Sequence, residues 1–112
     1  MALTKVTGGL LGNLPTGTGN VAVGDTALDS IESGASNNVA IGSGAGTAIT
    51  TGDLMTAVGY RALFTEDTGE RSTAVGAYAL TAQNAAVENY NTAVGYAAGT
   101  AVTTGVGNTL RS

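Results

Sequence analysis

Two groups of carboxylates are the side chains with the clearest potential for chemistry in this 112-residue chain. They are Asp25, Asp29 and Glu32 in the first group, and Glu66, Asp67 and Glu70 in the second. Clustered carboxylate oxygens are the ligands that Ca²⁺ prefers. Neither group has the alternating acids and central glycine of a calcium loop, and both fall where surface turns are expected. The pattern therefore favours solvated acidic turns over metal sites.

Two glycine-rich stretches superficially resemble phosphate-binding loops. They read GTG at residues 17–19 and GSGAG at residues 42–46. A phosphate loop needs Lys and Ser or Thr directly after its glycines and a helix that opens there, and neither stretch is followed by these. The chain also has no His and no Cys, so Ser-His and Cys-His nucleophiles and zinc clusters are absent from it. We therefore expect no enzyme, no catalytic residue and no cofactor.

Composition narrows the range of partners. Eight acidic residues against four basic ones give a net charge of −4, the wrong sign for nucleic acid or an anionic membrane. No apolar run approaches about 18 residues, and no secretion leader is recognisable, so we expect synthesis in the cytoplasm and no membrane partner. Most apolar residues are alanines, which lets one chain build only a thin core. Association with further chains is expected.

A five-residue phrase recurs along the chain with a nearly constant period. Its copies are NVAVG from Asn20, NVAIG from Asn38, MTAVG from Met55, STAVG from Ser72 and NTAVG from Asn91, and a sixth begins at Asn108. Successive copies start 17 to 19 residues apart. We call the units coils 1 to 5 and number positions within each from the first residue of its phrase. A fixed period indicates one structural unit stacked repeatedly.

The phrase has the pattern of a short strand. Positions 2 and 4 are β-branched and share one face, position 3 lies on the other, and the glycine at position 5 permits a turn with positive φ. Alanine at position 8 with leucine or glycine at position 9 predicts a second short strand. Helical repeats have periods of about 33 to 47 residues and tolerate little glycine. The sequence thus predicts an all-β parallel solenoid of about five coils, with strands about 4.8 Å apart.

Position 3 is alanine in every coil. These residues are Ala22, Ala40, Ala57, Ala74 and Ala93. If the β-branched pair fills the coil, position 3 faces outward, where a solvated site would accept polar residues. Uniform alanine indicates crowding, and another chain packed around a threefold axis is the simplest cause. We therefore predict that these alanines make chain-to-chain contacts in a homotrimer. The alternative is a flat, tightly wound coil with alanine inside.

Asparagine recurs at position 1 of three coils and again at Asn108. Stacked asparagine side chains hydrogen-bond from one coil to the next, so the recurrence predicts an asparagine ladder. Sugar binding is the alternative role for these amides.

All the aromatic residues lie in the last three coils. They are Tyr60, Phe64, Tyr78, Tyr90 and Tyr96. Packing between chains or over turns is one interpretation. The other is a glycan-binding or protein-binding surface, because tyrosine offers amphipathic contact at low entropic cost.

Residues 1–19 do not fit the repeat, so we divide the chain into an N-terminal anchor or cap (1–19) and a repeat β-roll domain (20–112). The apolar residues predicted to attach the first segment to a partner are Leu3, Val6, Leu10, Leu11 and Leu14. Capping of the first coil is the alternative.

The phrases NVAVG, NVAIG, STAVG and above all NTAVGYAAG resemble the repeats of trimeric autotransporter adhesin heads and of tailed-bacteriophage tail-fibre proteins. The resemblance covers about residues 20–109. It implies a left-handed parallel β-roll in which three chains pack side by side. It also implies that position 4 forms the inner core and position 5 the turn. These residues are Val23, Gly24, Ile41, Gly42, Val58, Gly59, Val75, Gly76, Val94 and Gly95.

Differences from adhesin heads and tail fibres favour one function over the others. The coils are longer than the adhesin repeat, and the sequence shows no leader, stalk or membrane anchor. We expect a non-enzymatic structural protein of a bacteriophage virion, a capsid decoration protein or head fibre. Its N-terminal segment would bind the major capsid protein or another virion protein. The alternative is a tail fibre or surface adhesin that binds host glycans.

Two other β-solenoid classes fit less well. Hexapeptide acyltransferases are trimeric β-helices, but their period near six and their catalytic histidine are missing. Ice-binding solenoids need flat ranks of threonine, which Thr50–Thr51 and Thr103–Thr104 supply in only two coils.

Overall fold

The computed structural model describes residues 16–112 and contains one three-residue strand at positions 2–4 of every copy of the phrase. The strands are β1 Val21–Val23, β2 Val39–Ile41, β3 Thr56–Val58, β4 Thr73–Val75, β5 Thr92–Val94 and β6 Thr109–Arg111. All six form one parallel sheet in chain order, and residues 16–112 contain no helix. The chain is a parallel β-solenoid of about five coils, as the period predicted.

Equivalent repeat positions stack directly on one another. Ala40, for example, pairs with Ala22 in β1 and with Ala57 in β3. The pairing stays in register although the coils differ in length by up to two residues. Positions 2 to 4 therefore each form a column that runs along the solenoid axis, with Leu110 continuing the alanine column in β6.

The second predicted strand is wrong, because positions 6 to 9 form consecutive turns in every coil. The carbonyl of the position-5 glycine accepts a hydrogen bond from the N–H of position 8, as between Gly76 and Ala79 at 3.1 Å. Positions 7 and 9 have left-handed backbone, with φ of +63° at Tyr78 and +49° at Leu80. The residue before each phrase also has positive φ, as at Leu54. These left-handed residues bend the chain too sharply for a second strand.

A narrow core fills the coils. It combines alanines at positions 3 and 8 with Leu28, Ile49, Met55, Leu63 and Leu80. Where position 9 is glycine, a larger neighbour occupies the space: a Cβ on Gly46 would lie 2.9 Å from Ile49 Cδ1. Beside Gly99 the space is filled instead by Leu80 of the preceding coil, whose Cδ2 lies 2.9 Å from the position that a Cβ would take, so side chains from different repeat positions keep the interior close-packed.

Pairing between coils begins before the first full phrase. Thr18 forms a parallel bridge with Ser36, and its carbonyl accepts a hydrogen bond from Asn37 N–H at 2.9 Å. The predicted anchor residues Leu3, Val6, Leu10, Leu11 and Leu14 lie outside the described residues. Within residues 16–112, no helix of the length and apolarity needed to cross a membrane is found.

Candidate functional site: the outer face of the sheet

The alanines at position 3 point into the coil. Ala22, Ala40, Ala57, Ala74 and Ala93 are each at most 4% exposed within a single chain. The prediction that they contact another chain is therefore wrong, since a side chain enclosed by its own coil cannot reach a neighbour. The tightly wound alternative describes the molecule. Alanine recurs because the sharp corners leave space for little more than a methyl group.

The β-branched residues at position 4 consequently point outward. Val23, Ile41, Val58, Val75 and Val94 are half-buried or exposed, with exposed fractions of 41% at Ile41 and 49% at Val94. Their predicted place in the inner core is wrong. Alternation along the strand correctly predicted which residues share a face. Which face lies inside the coil is determined by the left-handed turns that bend the chain after each strand.

Two columns make up what we call the outer sheet face. The position-4 column contains the five residues just named and ends at Arg111 in β6. The position-2 column contains Val21, Val39, Thr56, Thr73, Thr92 and Thr109. The face carries no charge from β1 to β5. Its threonines form a column on the successive strands β3 to β6, which differs from the pairs Thr50–Thr51 and Thr103–Thr104 noted in the sequence.

The outer sheet face offers contact area and no reactive group. Its backbone is held by bonds between coils, such as Gly59 N–H to Ile41 O at 2.7 Å. No cavity is found in the part of the chain that the structure describes. A continuous, partly exposed surface of uncharged β-branched side chains is typical of protein–protein contact.

The position-5 glycines form the bend between each strand of this face and the turn that follows it. Gly24, Gly42, Gly59, Gly76 and Gly95 have φ between +122° and +133°. A Cβ on Gly76 would also lie 2.4 Å from the carbonyl oxygen of Gly95 in the next coil. Both the backbone angle and the close stacking require glycine, which explains why the corner never varies.

The asparagine ladder is confirmed. Asn38 Oδ1 accepts a hydrogen bond from Met55 N–H at 2.9 Å, and Asn38 Nδ2 donates to Gly52 O at 2.8 Å. Asn38 N–H donates in turn to Asn20 Oδ1 at 2.9 Å, and Asn91 repeats the pattern with Asn108. Asn38 and Asn91 are fully buried, so they cannot serve as sugar ligands.

A buried polar cluster lies where the ladder is interrupted by Met55 and Ser72. Glu66 is fully buried, and its carboxylate accepts four hydrogen bonds. Gly69 N–H donates to Oε1 at 2.9 Å, and Gln83 Nε2, Asn89 Nδ2 and Ala85 N–H donate to Oε2 at 2.9, 2.9 and 3.2 Å. Gln83 Oε1 then accepts from Asn91 Nδ2 at 2.7 Å, which joins the cluster to the ladder.

The burial of Glu66 corrects the expectation of a solvated acidic turn at this residue. Glu66 stands at position 12, where the five coils have Ile31, Ile49, Glu66, Gln83 and Val102. Aligning this position would have shown a polar pair in an otherwise apolar column. In the first acidic group, Asp25, Asp29 and Glu32 are exposed, and no group of three metal-ligating side chains occurs among residues 16–112.

Three tyrosines from successive coils form an aromatic column, which we call the tyrosine ladder. The ring centroids of Tyr60 and Tyr78 are 5.4 Å apart and those of Tyr78 and Tyr96 are 5.9 Å apart, both edge to face. Arg61 Cζ lies 5.2 Å from the Tyr60 ring centroid and 4.8 Å from that of Phe64. Tyr90 is not part of this stack and instead lies beside Arg71.

Comparison of the chain with protein-family models, curated proteins and solved structures gives no match.

Proposed function

We propose that this chain is a non-enzymatic structural protein that assembles as a homotrimer through its outer sheet face. The observation that carries the proposal is the pair of β-branched columns, uncharged from β1 to β5, on a sheet whose strands are paired in constant register. Identical columns on identical chains are self-complementary in spacing, because the strands of each chain repeat at the same interval. A closed threefold ring would cover the columns of all three chains at once.

The thin core gives a physical reason for such assembly. Each strand from β1 to β5 buries a single alanine, whereas its larger valine or isoleucine at position 4 remains at least partly in water. Complete burial of a valine stabilises by about 1.5–3 kcal/mol, so removing a half-exposed valine from water contributes about 1 kcal/mol. Ile41 and Val94 are about half exposed, whereas Val23, Val58 and Val75 are less exposed, so the five residues together would contribute about 3 kcal/mol, a substantial share of the stability of a small domain.

The role in a bacteriophage virion is supported by the resemblance of NTAVGYAAG and its sister phrases to tail-fibre and adhesin-head repeats. By that resemblance the solenoid is a left-handed β-roll. The proposed protein is a capsid decoration protein or head fibre, and residues 1–19 attach it to the major capsid protein or another virion protein. The stacked coils supply a stiff projection in which each coil contacts only its neighbours.

Charged substitutions on the outer sheet face test the trimer. Wild-type protein should have three times the 10.9 kDa chain mass by light scattering coupled to size-exclusion chromatography. The double variant Val58→Lys/Val75→Lys should be monomeric, because burying unpaired ammonium groups is costly. Ala86→Lys/Thr104→Lys adds the same charge at exposed turn positions and should remain trimeric. A monomeric wild type, or equal behaviour of the two variants, would reject assembly through this face.

Attachment is tested separately by deleting residues 2–15, which precede the bridge between Thr18 and Ser36. The truncated chain should keep the trimer mass but fail to copurify with virus particles. If particles incorporate it as well as the full chain, the anchor assignment is wrong while the trimer stands.

A further inference from the structure

We propose that the tyrosine ladder, with Arg61 beside it, binds a linear polysaccharide. This goes beyond the structural role and does not depend on it, because the ladder residues Tyr60, Tyr78 and Tyr96 are distinct from the columns of the outer sheet face. The two outer rings of the ladder are accessible, with Tyr60 43% exposed and Tyr96 68% exposed, and Tyr78 between them is partly buried.

The ladder is ordered before any ligand arrives. Each ring packs edge to face on the next, and the backbone below is held by hydrogen bonds between coils. Tyr78 N–H donates to Tyr60 O at 2.8 Å, and Arg61 N–H donates to Ser43 O at 2.9 Å. Binding therefore costs little side-chain entropy, which favours a weakly interacting ligand such as a sugar.

The shape and charge of the surface exclude the other common ligand classes. With no cavity in residues 16–112, a compact small molecule has no enclosed site. Single-stranded nucleic acid needs a basic groove beside its stacking rings, yet the chain has a net charge of −4. Of the two other described arginines, Arg71 is paired with Glu70 and Glu88, and Arg111 lies in β6. An extended peptide that adds to a sheet needs free backbone groups, and the N–H groups of Tyr78 and Arg61 already donate to the preceding coil.

A linear polysaccharide matches what remains. Pyranose rings have faces lined by C–H groups, which pack against the electron-rich faces of aromatic rings. Successive rings are nearly perpendicular, and Tyr60 and Tyr96 lie on either side of Tyr78, so a ligand that contacts both of these exposed rings must extend along the solenoid axis. Tyrosine hydroxyls and the guanidinium of Arg61 supply donors for sugar hydroxyls or for a uronic-acid carboxylate. Arg61 forms no ion pair with any carboxylate among residues 16–112.

The experiment measures binding of three defined hexasaccharides to the full chain: cellohexaose, chitohexaose and hexagalacturonic acid. Titration calorimetry and tyrosine fluorescence give the Kd. Tyr78→Ala and Tyr96→Ala should each weaken binding about tenfold or more. Tyr90→Ala is the matched control, because Tyr90 is 54% exposed but lies outside the ladder, and it should leave the Kd unchanged. Arg61→Gln should selectively weaken hexagalacturonic acid if a carboxylate is recognised.

The outcomes separate the proposal from its rivals. Absence of binding to all three probes overturns it, as does an equal loss of affinity in Tyr90→Ala. The molar mass of each variant is also measured by light scattering, and its stability by urea unfolding. If Tyr78→Ala dissociates the assembly without a selective effect on sugar affinity, the ladder is a contact between copies and the proposal fails. Sugar binding by a monomeric wild type would retain this inference while rejecting the trimer.

Discussion

Replacing Glu66 should cost more stability than replacing any exposed carboxylate in the chain. Its side chain accepts hydrogen bonds from two backbone N–H groups and two side-chain amides, all in a fully buried setting. A buried donor left without an acceptor costs about 1–3 kcal/mol. Four donors at the lower end of that range give a loss of about 4 kcal/mol for Glu66→Ala. Small domains have total stabilities of about 5–15 kcal/mol, so the variant should be close to unfolding.

Glu66→Gln provides a more conservative second measurement. The glutamine oxygen can accept the three donors now bound to Oε2, but its NH₂ group then faces Gly69 N–H at the place of Oε1. Two hydrogen-bond donors would then face each other, and the remaining hydrogen bonds would no longer be strengthened by a negative charge. The free energy of unfolding should therefore fall by about 2 kcal/mol.

Urea unfolding at one chain concentration measures both losses as changes in midpoint at constant m-value. Glu32→Gln, at an exposed residue of the first acidic group, is the control and should leave the midpoint unchanged. The reasoning is refuted if Glu66→Ala shifts the midpoint no further than Glu32→Gln does.

Three further substitutions test other parts of the solenoid by the same unfolding measurement. Gly76→Ala should destabilise by more than about 2 kcal/mol, because φ is +133° and the new Cβ meets Gly95 O. Gly34→Ala meets nothing within 4 Å and should be neutral, so equal effects would contradict the corner argument. Ala74→Val overfills the coil and should cost about 1–3 kcal/mol; dissociation at unchanged chain stability would instead place Ala74 at an interface. Asn38→Ala breaks the ladder and should cost about 2 kcal/mol, whereas exposed Asn84→Ala should have no effect.

Sequence reasoning captured the features that depend on the period alone. The strands at positions 2–4, their parallel order and the asparagine ladder follow from the recurring phrase, because stacked coils bring equal positions together. The inside of the coil could not be predicted in the same way. Alternation places Ala74 opposite Thr73 and Val75, but the cross-section is set by left-handed residues such as Leu80, whose type does not favour that backbone.

The candidate surfaces were predictable to different degrees. The tyrosines were recognisable as a group, yet their stacking required Tyr78 at position 7 to lie between Tyr60 and Tyr96 at position 6. The position-4 residues of the outer sheet face were predicted to lie inside the coil, because alternation alone does not show which face of a strand is enclosed. Burial of Glu66 was missed because its acidic neighbours suggested a surface turn, although position 12 is apolar in coils 1, 2 and 5.

The Glu66 cluster also gives the repeats an order. Alanine columns and glycine corners are nearly the same in every coil, so a chain that skips one coil while folding would still match strand to strand. Glu66, Gln83 and Asn91 come from coils 3, 4 and 5, and their hydrogen bonds close only when those coils are consecutive. A skipped coil would bury a carboxylate without its donors, at a cost of several kcal/mol. This non-repeating cluster thus favours the correct order of coils 3, 4 and 5, which the repeating phrase alone does not specify.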